Sequence, residues 1–248
     1  MDLRVKRTDM VAALRLVAGA VNATTQQPRY RCVELEADGD TCRLFGTDLE
    51  VALEINLPAE VDTPGSALVP HARLAPLVRA TPDDELDLHL AEGHLELDSS
   101  DGVCRLLTET GDLPDPEPMA EPSASADAEA LAWALRRGML AVAQHRGRYA
   151  LDGIRLELAA DGPLTVISAD GARLSRARRP VVNGYGLEME ITIPPPGAAA
   201  MVALANAAPP GGTVRFGLSE SGNQLVAESA TARMACALLE GGWPPWRE

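Results

Sequence analysis

Apolar and polar residues alternate along four stretches, Glu85 to Leu90, Leu95 to Leu97, Val214 to Leu218 and Leu225 to Glu228. A period of two puts successive side chains on opposite faces, so each stretch predicts a strand with one buried face. Glu92-Gly93 separates the first two and Ser221-Gly222-Asn223 the last two, which predicts two hairpins. Elsewhere the period is three to four. Met10, Leu14, Val17 and Val21 share one face of a helix over residues 10–21, with Thr8 or Asp9 as its cap, and Leu131, Leu135 and Met139 do the same over 128–142 behind Asp127. Two further Ala/Leu-rich helices, 71–80 and 197–207, follow apolar strands that end in proline, Ala67 to Pro70 and Ile191 to Pro194. Proline suits a helix start, where its missing N–H costs nothing, whereas Pro76 predicts a kink or a delayed start.

These elements recur in one order. Gly46-Thr47-Asp48-Leu49-Glu50 leads into the strand Val51 to Leu57, and Ala169 to Leu174 leads into Ser175 to Val182. Each copy then runs strand, proline, helix, hairpin and a closing strand, Val103 to Thr108 or Arg233 to Leu239. The offset is roughly 125 residues, a domain-sized duplication. The fold class expected is α+β, with two tandem domains, 1–120 and 121–248, joined by the Pro-, Ser- and acid-rich segment from Asp112 to Ala126.

Composition narrows the chemistry. Aromatics make up 3% of the chain, too few for a binder that stacks bases on rings. Cys32, Cys42, Cys104 and Cys236 lie far apart without a C-x-x-C pair, so they read as buried or strand thiols and no metal site or cofactor is expected. The N-terminus lacks the apolar run of a signal peptide and no stretch is apolar enough to span a bilayer; a cytoplasmic protein with no membrane partner is expected. His71, His89, His94 and His145 are scattered, and there is no G-x-S-x-G elbow or P-loop. Ala159-Ala160-Asp161-Gly162 lacks the further ligands of a calcium loop, and catalysis is not expected.

A net charge of −14 argues against a simple nucleic-acid surface, but the distribution matters more than the sum. The four expected helices carry Arg15, Arg73, Arg79, Arg136 and Arg137 against one acid, Glu129, which lies in a first turn where the helix dipole favours it. The other acids fall on strands, turns and linker. Lys6 is the only lysine, so arginine dominance is partly a matter of composition.

The order helix, strands, G-T-D-L-E, V-P, helix, then Arg148-Tyr149-Ala150-Leu151-Asp152-Gly153, Asp170-Gly171-Ala172-Arg173-Leu174 and Gly242-Trp243-Pro244 resembles domains one and two of the bacterial DNA sliding clamp, the beta subunit of DNA polymerase III. The resemblance covers essentially the whole chain and leaves out the family's third domain. It implies the DNA clamp fold, with two helices per domain packed on antiparallel sheets, and a processivity factor that encircles duplex DNA. The resemblance implies that Arg73 and the loop 144–148, with Arg146 and Arg148, face DNA; the helix charges add Arg15, Arg79, Arg136 and Arg137 to the expected sequence-independent DNA contacts, with ordinary solvated helix positions as the alternative for the helix arginines. Thr24 and Pro195-Pro196 depart from the family's basic positions and imply a looser grip.

The resemblance also implies a pocket for short linear motifs of DNA polymerase, clamp loader or repair proteins, lined here by Leu151, Gly171, Arg173, Leu174 and Pro244. Plain core packing is the alternative for the two leucines, and a turn glycine for Gly171. Trp246 either folds over that cleft or is a frayed end. Six clamp domains close a ring, so two per chain predict a head-to-tail homotrimer whose seam uses the strand Val103 to Thr108. The competing expectation is a clamp-derived module or decoy that binds clamp partners without encircling DNA.

Overall fold

The computed structural model describes residues 1–121, 124–145, 147, 149–160, 162–183 and 188–246. They form two compact units, Met1–Asp115 and Pro116–Glu248, and the break falls inside the proline-rich segment.

In unit 1 the order is β1 (Asp2–Lys6), α1 (Arg7–Val17), β2 (Cys32–Asp38), β3 (Thr41–Thr47), β4 (Val51–Thr63), β5 (Gly65–Pro70), α2 (His71–Ala80), β6 (Glu85–Ala91), β7 (His94–Ser99) and β8 (Gly102–Leu107). All pairings are antiparallel, in the spatial order β8-β7-β6-β1-β4-β3-β2-β5. The 13-residue β4 serves two neighbours, pairing Ala52 to Pro58 with β3 and Ala59 to Thr63 with β1. Pro58 sits where the partner changes, a position at which a missing N–H is tolerated. Alternation works as expected in the hairpin: Leu86, Leu88, Leu95 and Leu97 are buried, while Asp87, Glu96 and Asp98 face the other way. The Glu109 N–H bonds the Leu68 carbonyl at 2.8 Å, tying the chain beyond β8 to β5.

Unit 2 repeats the series: β9 (Ala124–Asp127), α3 (Ala128–Gly138), β10 (Ile154–Leu158), β11 (Leu164–Ala169), β12 (Leu174–Arg179), β13 (Met189–Ile193), α4 (Pro195–Ala207), β14 (Thr213–Leu218), β15 (Gln224–Glu228) and β16 (Ala232–Ala237). Its sheets run β12-β11-β10-β13 and β16-β15-β14-β9. The Leu239 N–H to Thr192 carbonyl bond, 2.8 Å, repeats the tie seen between Glu109 and Leu68. Here Pro180 follows the last residue of β12, and the chain regains a pairing only at Val182 against Ser125.

The structure corrects three details. A short strand, β1 or β9, precedes the first helix of each unit, where a helix alone was expected. α1 starts at Arg7 with no side-chain cap from Thr8 or Asp9, and it ends at Val17 in a 3-10 turn that leaves Val21 outside. α3 stops at Gly138 rather than 142, although Asp127 does cap it, accepting from the Ala130 N–H at 2.8 Å. α2 occupies His71–Ala80 with Pro76 inside, and the His71 ring bonds the Leu14 carbonyl at 2.9 Å, fastening α2 to α1.

Close approach of helix to strand is achieved differently in the two units. At the end of α1, a Cβ on Gly46 of β3 would lie 2.8 Å from Val17 Cγ2; at the end of α3, a Cβ on Gly138 would lie 2.2 Å from Val166 Cγ1 of β11. The small residue is on the strand in unit 1 and on the helix in unit 2.

Candidate functional site

Arg15 on α1, Arg73 and Arg79 on α2, and Arg136 and Arg137 on α3 are all exposed. Arg146 and Arg148 lie outside the described residues. Because α1 begins at Arg7, the helices also include Arg7 and Asp9; Arg7 is tied to the Asp83 carbonyl at 2.8 Å. Among the described residues, Arg15, Arg73, Arg79, Arg136 and Arg137 meet no carboxylate.

Strand arginines behave differently. Arg4 meets Asp87 at 2.7 Å, Arg43 meets Glu54 at 3.2 Å, Arg105 meets Glu96 at 2.6 Å, Arg155 meets Glu190 at 2.6 Å and Arg215 meets Glu228 at 3.1 Å. A carboxylate beside a guanidinium cancels its field, so these side chains have little attraction left for phosphate. In unit 1 a cleft of about 550 Å³ is lined by six acids, Asp2, Glu60, Asp62, Asp87, Glu96 and Asp98, with Arg4 and His89 as the basic groups among them. A hydrogen bond from His89 holds the Asp2 carboxyl below its ordinary range.

β12 is the exception among strands. Arg176, Arg178 and Arg179 have no carboxylate partner among the described residues, and neither do Arg29 and Arg31 ahead of β2. The sequence reading passed over all five. The Arg-x-Arg-Arg run was visible, but a strand arginine usually finds an acid across the sheet, and only the fold reveals that these do not.

Of the expected pocket residues, Gly171, Arg173 and Leu174 lie at the turn into β12, Leu151 precedes β10 and Pro244 follows β16. Asp170 Oδ1 accepts from the Ala172 and Arg173 backbone N–H groups, and its Oδ2 accepts from Arg173 Nε at 2.8 Å. These bonds, that from the Arg173 side chain foremost, push the Asp170 pKa down and fix a turn in which Gly171 has φ of 88°. Such a φ favours glycine. Leu174 follows with 46% of its surface exposed, which removes it from the core and overturns the packing alternative there. Leu151 and Pro244 are half-buried. The Ala150 N–H bonds the Gly242 carbonyl at 3.1 Å, which brings the last segment alongside Leu151.

Trp246 is seated, not frayed. Its indole N–H donates to Glu157 Oε1 at 3.0 Å, and the Arg176 guanidinium lies 5.5 Å from its ring. Arg176 is two positions after Leu174 on β12 and therefore on the same face. The segment through Pro244 and Trp246 thus crosses the outside of β10, β11 and β12. Beneath it Ile167 is fully buried.

Both halves of this architecture match known domains. The DNA polymerase III beta subunit N-terminal domain model matches residues 1–109 and the central domain model residues 126–245. The chain belongs to the DNA polymerase III beta subunit family, the sliding clamps, whose members are processivity factors and not enzymes. It is 24% identical to the beta sliding clamp homolog GriR of Streptomyces muensis over 250 residues, covering 100% of this chain and 66% of GriR. The beta sliding clamp of Chlamydia pneumoniae is 28% identical over 197 residues, 78% of this chain and 54% of that one. The DNA polymerase III subunit beta of Pseudomonas aeruginosa superposes with a TM-score of 0.88 at 26% identity, over 99% of this chain and 67% of that chain. A clamp of the same organism bound to griselimycin gives 0.89 at 25% identity, over 99% of this chain and 66% of that one. The chain therefore spans slightly less than two thirds of GriR and about half of the chlamydial clamp.

Proposed function

We propose that this chain is the subunit of a DNA-encircling clamp that rides on duplex DNA without reading its sequence and tethers DNA polymerase, clamp loader or repair proteins. The observation that carries this reading is the division among arginines: outside β12 the strand arginines are neutralised by acids, whereas Arg15, Arg73, Arg79, Arg136 and Arg137 on the helices are exposed and meet no carboxylate among the described residues. Phosphate contacts position a protein without specifying sequence, and an acidic remainder opposes stray contacts.

The ring is a head-to-tail homotrimer. Among the described residues seven large apolar side chains are exposed, of which Val103 and Leu107 lie on β8, Leu174 on β12, Val182 just beyond β12 and Leu140 just beyond α3. β8 and β12 are also terminal strands of their sheets, with unpaired backbone groups along one side. Pairing β8 of one copy with β12 of the next covers Val103 and Leu107 on one side and Val182 and Leu140 on the other, and leaves Leu174 to the partner cleft. Light scattering of the full chain at micromolar concentration checks this, together with retention on closed circular DNA and loss on linearisation. A monomer that binds clamp-partner peptides would replace this reading with the non-encircling module.

Partner binding falls to the cleft of Leu151, Gly171, Arg173, Leu174 and Pro244, which offers one or two apolar anchor sites with Arg173 at the rim. Competition between a polymerase-derived clamp-binding peptide and griselimycin tests the cleft directly.

A further inference from the structure

Two of the unpaired arginines come from different elements and converge on one indole. The Arg179 guanidinium of β12 lies 3.4 Å from the ring centroid of Trp133 on α3, and that of Arg137, one helical turn on, lies 5.5 Å from it. Ser175 of β12 donates its hydroxyl to the Arg137 carbonyl, locking strand to helix beside the cluster. Next to it Arg136 donates to Asn206 Oδ1 on α4 at 2.6 Å. Two guanidiniums thus share one indole without a carboxylate among the described residues, in a chain with 36 acids.

Like charges brought together in this way repel, and an aromatic face offsets only part of that cost. Trp133 also keeps 39% of its surface in contact with solvent, so the stack lies at the surface and not in the core. Stacking does, however, have one chemical result. It covers the flat face of a guanidinium and leaves its edge open, the geometry that meets phosphate oxygens; in Arg179 one edge nitrogen, Nη1, donates to the Arg178 carbonyl at 3.1 Å.

We infer that Trp133 is a positioning residue for DNA: it holds Arg137 and Arg179 as a fixed phosphate clamp, and Arg179 is a backbone contact contributed by a strand. This rests on the duplex-binding reading above and adds to it a residue that touches no phosphate itself.

The test is an anisotropy titration of a short fluorescein-labelled duplex with the full chain over a series of salt concentrations. Arg179→Gln should lower the slope of log affinity against log salt by about 0.9, the loss of one phosphate contact. Trp133→Leu should lower it by at least as much, because both guanidiniums lose their seat, and Trp133→Phe should restore most of the difference. A merely structural tryptophan would change the melting temperature and leave the slope alone. If wild type binds duplex and both Arg179→Gln and Trp133→Leu keep its affinity and slope, the clamp is refuted and the duplex reading stands. If Arg179→Gln weakens binding while Trp133→Leu does not, the positioning role is refuted. Absence of duplex binding by wild type at low salt overturns the duplex reading and this inference together. Should Trp133→Leu fail to fold, Arg179→Gln and Trp133→Phe still decide the matter.

Discussion

Unit 1 carries 10 basic residues against 22 acids and unit 2 carries 12 against 14, so −12 of the net −14 belongs to the first half of the chain. The two have the same series of strands and helices, and the contrast shows that a duplicated fold leaves its electrostatics free to diverge. In unit 1 the acids are dense enough to neutralise Arg4, Arg43 and Arg105 on the strands. In unit 2 they are too few, and Arg176, Arg178 and Arg179 stay unpaired among the described residues. More of the phosphate attraction should therefore come from the second half.

The sharpest way to break that comparison is charge reversal. Arg73→Glu with Arg137→Glu should weaken duplex binding on the order of 100-fold at moderate salt, with Arg137→Glu alone costing more than Arg73→Glu. Equal single-site losses in a binding titration would erase the distinction between the units. Packing gives the next effect. Gly138→Val drives its side chain into Val166 and should cost about 2–3 kcal/mol of stability, read by thermal or urea denaturation, with Val166→Ala restoring part of it. A wild-type melting curve for the single variant would mean that α3 and β11 are not in firm contact.

Leu174→Ala should cost on the order of 1–2 kcal/mol of affinity for a polymerase-derived peptide. Because Leu174 is half out in solvent, its melting temperature should barely move. Unchanged affinity by calorimetry would shift the partner site elsewhere. The smallest effect is that of pH. Asp2 and Asp83 in unit 1 and Glu117 and Asp170 in unit 2 all have lowered pKa values, caused chiefly by hydrogen bonds from His89, Ser100, Ser221 and Arg173 respectively. A carboxyl with a lowered folded pKa stabilises the fold above its unfolded value and loses that contribution as pH falls through the folded one. Peptide binding at the Asp170 turn should thus be flat from neutral pH down to about 5 and decline only below the ordinary aspartate value of 3.8. Calorimetric titration across that range would contradict this by showing a step near neutrality.

The hairpins and α2 were legible in the sequence because their patterns are long, regular and bounded by turn residues or proline. β1 and β9 were not. They have five and four residues, too few for a period of two to stand out, and each passes directly into a helix. α1 carries no side-chain cap, so the signal that located α3 correctly placed α1 too late. The helix arginines could be picked out since a helix shows its exposed stripe in its spacing. What the sequence could not reveal was the company each charge keeps. Arg155 and Arg176 look alike as strand arginines, yet one lies against Glu190 and the other under Trp246.

The exchange of glycine between Gly46 on a strand and Gly138 on a helix makes the two halves non-interchangeable parts. A hybrid with the helix of unit 1 over the sheet of unit 2 would bring two branched side chains, of the Val17 and Val166 kind, into a space that holds one. The reverse hybrid would set glycine against glycine and leave a hole. Within unit 1 sterics ranks the order of any change: trimming Val17 first leaves a void that neighbours can partly fill, while enlarging Gly46 first drives its Cβ to 2.8 Å from Val17 Cγ2. Swapping homologous segments between the halves is therefore bound to fail at this contact unless helix and strand are moved as a pair.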